Sequence, residues 1–91
     1  MSRDLVQEAA GRAKNLQVEQ IKTIKEAFDQ FDVNGDGTVS INEVDKVLDT
    51  LSIHIPESEQ ERIIQTLDKN GNGTIEFVEF VINYENGLFN F

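Results

Sequence analysis

Apolar residues recur three and four positions apart in four stretches of the chain, which is the spacing of one face of an α-helix. They are Ile21, Ile24, Phe28 and Phe31 in the first stretch, Val44, Val47, Leu48 and Leu51 in the second, Ile63, Ile64 and Leu67 in the third, and Phe77, Phe80, Val81 and Tyr84 in the fourth. The pattern predicts helices near residues 19–31, 41–51, 57–67 and 77–86.

Two polar segments divide these helices into pairs and obey one rule. Residues 32–43 (DVNGDGTVSINE) and 68–79 (DKNGNGTIEFVE) both read D-x-[DN]-x-[DN]-G-x5-E, the pattern of a calcium loop between two helices. The rule predicts two helix–loop–helix units, about residues 21–51 and 57–86, in one domain of residues 19–86. The β-branched Val39 and Ile75 hold the same position in each loop and favour a short antiparallel pairing. The predicted fold class is all-α, with four helices and two loops joined by that pairing.

The first loop offers oxygen atoms at the spacing that calcium requires. The predicted ligands are the side chains of Asp32, Asn34 and Asp36, the backbone carbonyl of Thr38, Ser40 through a water molecule, and both carboxylate oxygens of Glu43. Gly37 stands where the chain must turn sharply, a conformation in which a Cβ is strained. The first loop is therefore expected to bind one calcium ion.

The second loop repeats this arrangement. Its predicted ligands are Asp68, Asn70, Asn72, the carbonyl of Thr74, Glu76 and Glu79, with Gly73 at the turn. Neither loop lacks a ligating position, which argues against a degenerate loop that only preserves the fold. With three acidic ligands in each loop, we expect two calcium sites with Kd on the order of 10⁻⁷–10⁻⁵ M. Magnesium is expected to compete, although the final glutamate of each loop favours calcium because magnesium demands a tighter octahedron.

Residues 1–18 and 87–91 lie outside the repeat. A weak helical stripe of Leu5, Ala9, Ala13 and Leu16 is interrupted by Gly11, so residues 1–18 are interpreted as an N-terminal extension that is either a frayed helix or disordered. Such a helix could occupy an apolar groove until a partner displaces it. The C-terminal tail, residues 87–91, is apolar for a chain end. It is either disordered, folded back onto the groove, or a site of self-association.

The balance of charges and the absence of cysteine exclude several classes of protein. The net charge of −9 argues against nucleic acid and anionic membrane surfaces as partners. There is no Cys for a disulfide or a thiolate site, and His54 is the single histidine. Because every clustered acid already belongs to a loop, we expect no enzymatic activity. With no apolar run of transmembrane length, signal peptide or myristoylation sequence, we expect a cytoplasmic protein without a membrane anchor.

Local sequence around both loops resembles one well-known family. Residues 71–77 (GNGTIEF) and 25–29 (KEAFD) are similar to the corresponding segments of calmodulin. Over residues 19–86 the chain resembles an EF-hand pair of the calmodulin superfamily, like a single calmodulin lobe. The resemblance implies a calcium sensor whose paired helices swing apart and expose an apolar groove. The partner implied is an amphipathic, basic helix of a target protein.

The chain departs from calmodulin in its groove and its length. Calmodulin's groove is rich in methionine and therefore adaptable, whereas the only methionine here is Met1. Gln60 stands where an apolar groove residue is expected. With two hands, the chain corresponds to half of a calmodulin-like molecule or to a domain of a longer one. The loops leave three functions open: a sensor, a buffer that barely opens, and a light-chain-like constitutive subunit.

Overall fold

The computed structural model describes residues 4–32, 35, 37–68 and 71–89. In these ranges the elements run α1 (Leu5–Arg12), α2 (Val18–Phe31), β1 (Thr38–Ser40), α3 (Val44–Thr50), α4 (Glu57–Leu67), β2 (Thr74–Glu76) and α5 (Phe77–Glu85). The predicted fold class, a helical domain with one short β pairing, is confirmed. No helix in the described ranges is both long and apolar enough to cross a membrane.

Helices α2, α4 and α5 agree with their predicted bounds to within one residue, whereas α3 begins later than predicted. The prediction of a helix from residue 41 was wrong because the loop pairing extends to that residue. The N–H of Ile41 donates to the carbonyl of Gly73 at 3.0 Å. A turn then follows, closed by the N–H of Glu43 donating to the carbonyl of Ser40 at 2.9 Å. The helix therefore starts at Val44, directly after the last predicted ligand.

The strands β1 and β2 form a two-stranded antiparallel sheet that joins the loops. Val39 is opposite Ile75 in the register, as predicted, and both side chains are buried. Beyond the strand pairs, the N–H of Phe77 donates to the carbonyl of Gly37 at 2.9 Å. Together with the bond from Ile41 to Gly73, this places a backbone hydrogen bond between the loops at each end of the sheet.

Three aromatic rings form the centre of the core. Phe28 of α2 packs edge to face against Phe77 and Phe80 of α5, with ring centroids 5.4 and 5.2 Å apart, an arrangement that aromatic quadrupoles favour. Helix α2 also packs against α3, and α4 against α5. The aliphatic residues around these rings are fully or almost fully buried; they include Ile21, Ile24, Val44, Val47, Ile63, Leu67 and Val81.

The N-terminal segment contributes a helix to this core. In α1 the carboxylate of Asp4 accepts the N–H of Gln7 at 3.2 Å, which caps the helix start. Ala9 and Ala13 are completely buried, and α1 packs against α2 and α5. Small alanine side chains on one face let the helix approach closely. Within residues 1–18, which the sequence had left open between a frayed helix and disorder, the structure describes the helix α1, docked on the domain.

The C-terminal tail folds back along α5 as far as it is described. Gly87 has a positive φ of 84°, and the N–H of Leu88 donates to the carbonyl of Asn83 at 3.0 Å, so the chain reverses at the helix end. The ring of Phe89 then lies 4.9 Å from that of Phe80, centroid to centroid, and 6.1 Å from that of Tyr84. Phe91 lies outside the described residues.

The aromatic centre predicts which substitution unfolds the domain. Phe28→Ala should lower the free energy of unfolding by about 3–5 kcal/mol, because it removes a fully buried ring that two neighbouring rings contact. Val18→Ala is the control, since Val18 is 41% exposed and its change should stay within about 0.5 kcal/mol. Urea denaturation measures both. A loss of under about 1 kcal/mol in Phe28→Ala would contradict this description of the core.

Candidate metal centre

The first loop begins at the C-terminal end of α2, where Asp32 caps the helix. One carboxylate oxygen of Asp32 accepts the N–H of Gly35 at 3.1 Å, and the other accepts the N–H of Gly37 at 2.7 Å. These bonds hold the carboxylate inside the turn of the loop. The first predicted ligand therefore has a defined orientation set by the backbone of its own loop.

Four of the predicted ligands in the first loop line one recess. A cavity of about 460 Å³ is bordered by Asp32, Thr38, Ser40 and Glu43, together with residues of α2 and β2. The residues that border this recess carry carboxylate, hydroxyl and backbone oxygens, the ligand types that a hard cation prefers. Asn34 and Asp36 lie outside the described residues, so the structure does not test their predicted role.

Glu43 is the residue through which the first loop connects to the next helix. It is the N-cap of α3 and directly precedes Val44, the first helical residue. One oxygen of its half-buried carboxylate lies 3.5 Å from Nζ of Lys46, one turn along the helix. Glu43 thus reaches both the recess and its own helix, so a change in its side-chain contacts acts at the start of α3.

The second loop follows the same plan. Asp68 caps α4, and its two carboxylate oxygens accept the N–H groups of Asn72 and Gly73 at 3.2 and 3.0 Å. The side-chain oxygen of Asn72 accepts two hydrogen bonds from Thr74, at 3.1 Å from its N–H and 2.9 Å from its hydroxyl. Among the remaining predicted ligands, Glu76 is exposed in β2 and Glu79 is half-buried in the first turn of α5. Asn70 is not among the described residues.

Within the described ranges, no three Asp, Glu, His or Cys side chains converge as a metal-binding group. The predicted sites do not depend on such a group alone, since they also use amide, hydroxyl and carbonyl oxygens. The recess at the first loop and the oriented carboxylates of Asp32 and Asp68 fit a calcium ion. The complete assignment of twelve ligands stays a prediction.

The glycines at the two turns have the same backbone conformation but different surroundings. Gly37 has φ of 82° and Gly73 has φ of 83°, in the region that favours glycine. Gly37 is buried under Leu5 of α1, and a Cβ built on Gly37 would collide with Cδ1 of that leucine. Gly73 is only half-buried, and its own Cβ would meet no described atom within 4 Å. Sequence reasoning missed Leu5, because no local signal connects the N-terminal stripe with this loop.

Two helix–loop–helix units, joined back to back through their loops, define the class of a paired calcium-binding domain. A family model for the EF-hand domain pair matches residues 21–85, which is well over half of the chain. The chain therefore belongs to the EF-hand family, in agreement with the resemblance to a single lobe. EF-hand pairs are calcium-binding domains, so membership of this family implies that the domain binds calcium.

Removing one charge from the last ligand of a loop tests the ligand assignment. Glu43→Gln and Glu79→Gln should each weaken their own site at least about tenfold, or ~1.4 kcal/mol, because an amide cannot supply two anionic oxygens. The other site should weaken modestly through the shared sheet. Calorimetric calcium titration measures both sites, and Glu57→Gln, an exposed acid at the start of α4, is the control. Unchanged binding in either loop variant would show that its glutamate is not a ligand.

The two turn glycines provide a matched pair for stability. Alanine at either position should cost roughly 1–2 kcal/mol for the left-handed backbone conformation. Gly37→Ala should cost about 1 kcal/mol more than Gly73→Ala, because Leu5 must move away from the new methyl group. Urea unfolding of both variants in one buffer gives the difference. Equal losses would mean that Leu5 does not pack on Gly37 in solution.

Proposed function

We propose that this EF-hand pair is a calcium-dependent regulatory module that exposes an apolar groove and binds a helix of a target protein. In this proposal both loops bind calcium, with magnesium as a competitor. The absence of Cys fits a reducing compartment, and the proposal places the protein in the cytoplasm. A binding role rather than catalysis is proposed, because most of the described acids lie in or beside the loops or on exposed helix faces.

The observation that carries the proposal is a recess of about 340 Å³ between α3 and α4. Its apolar lining comes from Leu48 on α3, Ile64 on α4, and Ile53 and Ile55 in the connection between them. Two exposed acids of α3, Asp45 and Asp49, border the same recess together with one exposed base, Lys46. An apolar floor with two acids and one base at its rim suits the apolar face and the basic flank of an amphipathic helix.

The contacts of Glu43 support a link between the loops and this recess. To act as a ligand with both oxygens, the Glu43 carboxylate must turn away from Lys46, from which it lies 3.5 Å. Because Glu43 is the N-cap of α3, this movement shifts the start of the helix that carries Leu48. Breaking this exposed ion pair costs little free energy, since such pairs contribute at most about 1 kcal/mol to stability. A bound calcium ion supplies the charge that draws the carboxylate in.

The sheet supports cooperative filling of the loops. Gly37 and Gly73, the turn residues, each accept a backbone hydrogen bond from the opposite hand, from Phe77 and Ile41. A displacement of one turn therefore displaces the backbone of the other hand. We propose that the two sites bind calcium cooperatively.

The lining of the recess also bears on partner choice. Gln60 borders the recess and is exposed, so one polar side chain interrupts its apolar surface. No methionine is available in the recess, and branched aliphatic side chains adapt less readily than methionine. We therefore propose a narrow range of partners rather than the broad range that a flexible groove allows. A calcium buffer is the competing function, because it uses the same ligands and differs only in how far the helices move.

Exposure of apolar surface separates the sensor from the buffer. With calcium, the sensor should enhance the fluorescence of an apolar dye and bind a helical peptide of leucine and lysine; with a chelator, it should do neither. Ile64→Asn should weaken peptide binding roughly tenfold, or ~1.4 kcal/mol, because Ile64 lines the recess. Gln65→Asn, next to it but outside the recess lining, is the matched control. Intact calcium binding without any dye or peptide response would identify a buffer and contradict the proposal.

A further inference from the structure

A hydrophobic side chain from outside the two hands lies against the first calcium loop. Leu5, the first residue of α1, covers Gly37, which is buried as a result. The matching glycine of the second loop, Gly73, has no such cover among the described residues. The two loops share one sequence rule, and their turn glycines have the same φ to within one degree, so this contact is a clear asymmetry between them.

Gly37 is the point at which three parts of the molecule meet. Its N–H donates to a carboxylate oxygen of Asp32 at 2.7 Å, and its carbonyl accepts the N–H of Phe77 at 2.9 Å. Leu5 contacts it from a third direction. Because Gly37 has no side chain of its own and φ of 82°, its position depends on these neighbours. A displacement of Gly37 moves the donor that orients the first calcium ligand.

Helix α1 presents Leu5 from a firm support. Ala9 and Ala13 are completely buried against the domain. Beyond the helix, the N–H of Asn15 donates to a carboxylate oxygen of Glu85 at 2.7 Å, which ties the connection after α1 to the end of α5. Helix α1, and with it Leu5, is therefore held by packing on α2 and α5 and by one hydrogen bond to α5.

We propose that α1 sets the calcium affinity of the first site: Leu5 holds Gly37, and through it Asp32, in the arrangement that binds the ion. Linkage requires the reverse effect as well, so calcium in the first site must strengthen the docking of α1 by the same free energy. Leu5 is a positioning residue, since it packs at Gly37, which is not itself a predicted ligand.

Helix α1, which carries Leu5, lies outside the residues that the EF-hand family model matches, since that match begins at residue 21. Release of α1 by a partner or by proteolysis therefore weakens the first site more than the second, which is affected only through the shared sheet. The coupling requires calcium binding by the first loop but no opening of the recess between α3 and α4. It stands even if the chain proves to be a buffer.

The experiment measures each site by itself. Leu5→Ala is placed in a Glu79→Gln background, where the first site is read, and in a Glu43→Gln background, where the second is read. Calorimetric calcium titration should show the first site weakened about fivefold, at the low end of typical coupling, and the second by less than about twofold. Leu5→Met, which keeps a long apolar side chain, should restore the affinity of the first site.

Val6→Ala is the matched control. Val6 is also half-buried on α1, but the three atoms nearest to a Cβ built on Gly37 all belong to Leu5. It should leave the first site within about twofold of its parent. An equal loss in Val6→Ala, or an equal loss at both sites in Leu5→Ala, would indicate general destabilisation and overturn the proposal. An unchanged first site in Leu5→Ala would overturn it too.

Hydrogen exchange tests the reverse effect without any substitution in α1. Calcium should slow amide exchange in α1, and Glu43→Gln should abolish most of that protection while Glu79→Gln retains it. Calcium binding that leaves the exchange of α1 unchanged would overturn the proposal, whatever the outcome of the dye and peptide experiments.

Discussion

Backbone hydrogen bonds between the two loops hold this domain together as a pair. Each loop lies between a helix end and a helix start, and the sheet of β1 and β2 joins the two hands through their loops. Val39 and Ile75 bury the centre of the sheet, and bonds from Ile41 and Phe77 to the turn glycines extend it. Because the N–H groups of the turn glycines also orient the first predicted ligand of each loop, the pairing and the proposed metal binding depend on the same two residues.

The contacts also divide the helices into a supported side and a less covered side. Helix α5 packs against Phe28 of α2, the buried face of α1 and the ring of Phe89. The recess, by contrast, lies between α3 and α4 and is lined by no described residue of α1 or the tail. Movement of α3 and α4 would therefore disturb few of the aromatic contacts. This division agrees with the proposed opening of the recess while the aromatic centre stays in place.

Much of the fold could be predicted because its determinants are local. The apolar spacing around Phe28 and Phe80 depends only on the helical period, and it located α2, α4 and α5 to within one residue. The start of α3 was misplaced because the bond from Ile41 to Gly73 joins residues far apart in sequence. Of the predicted ligands, the structure brings Asp32, Thr38, Ser40 and Glu43 to one recess. Asn34, Asp36 and Asn70 remain predictions from the sequence.

The sequence by itself determined the two loops, the oxygen atoms they offer and the class of ion they suit, because a calcium loop is encoded by spacing within twelve consecutive residues. Only the tertiary structure decided that Leu5 covers Gly37, that Phe89 lies on Phe80, and that an apolar recess separates α3 from α4. Leu5 and Gly37 come together only once α1 has docked on α2 and α5. Such contacts depend on how helices that are distant in sequence pack together, and no local periodicity or motif predicts that packing.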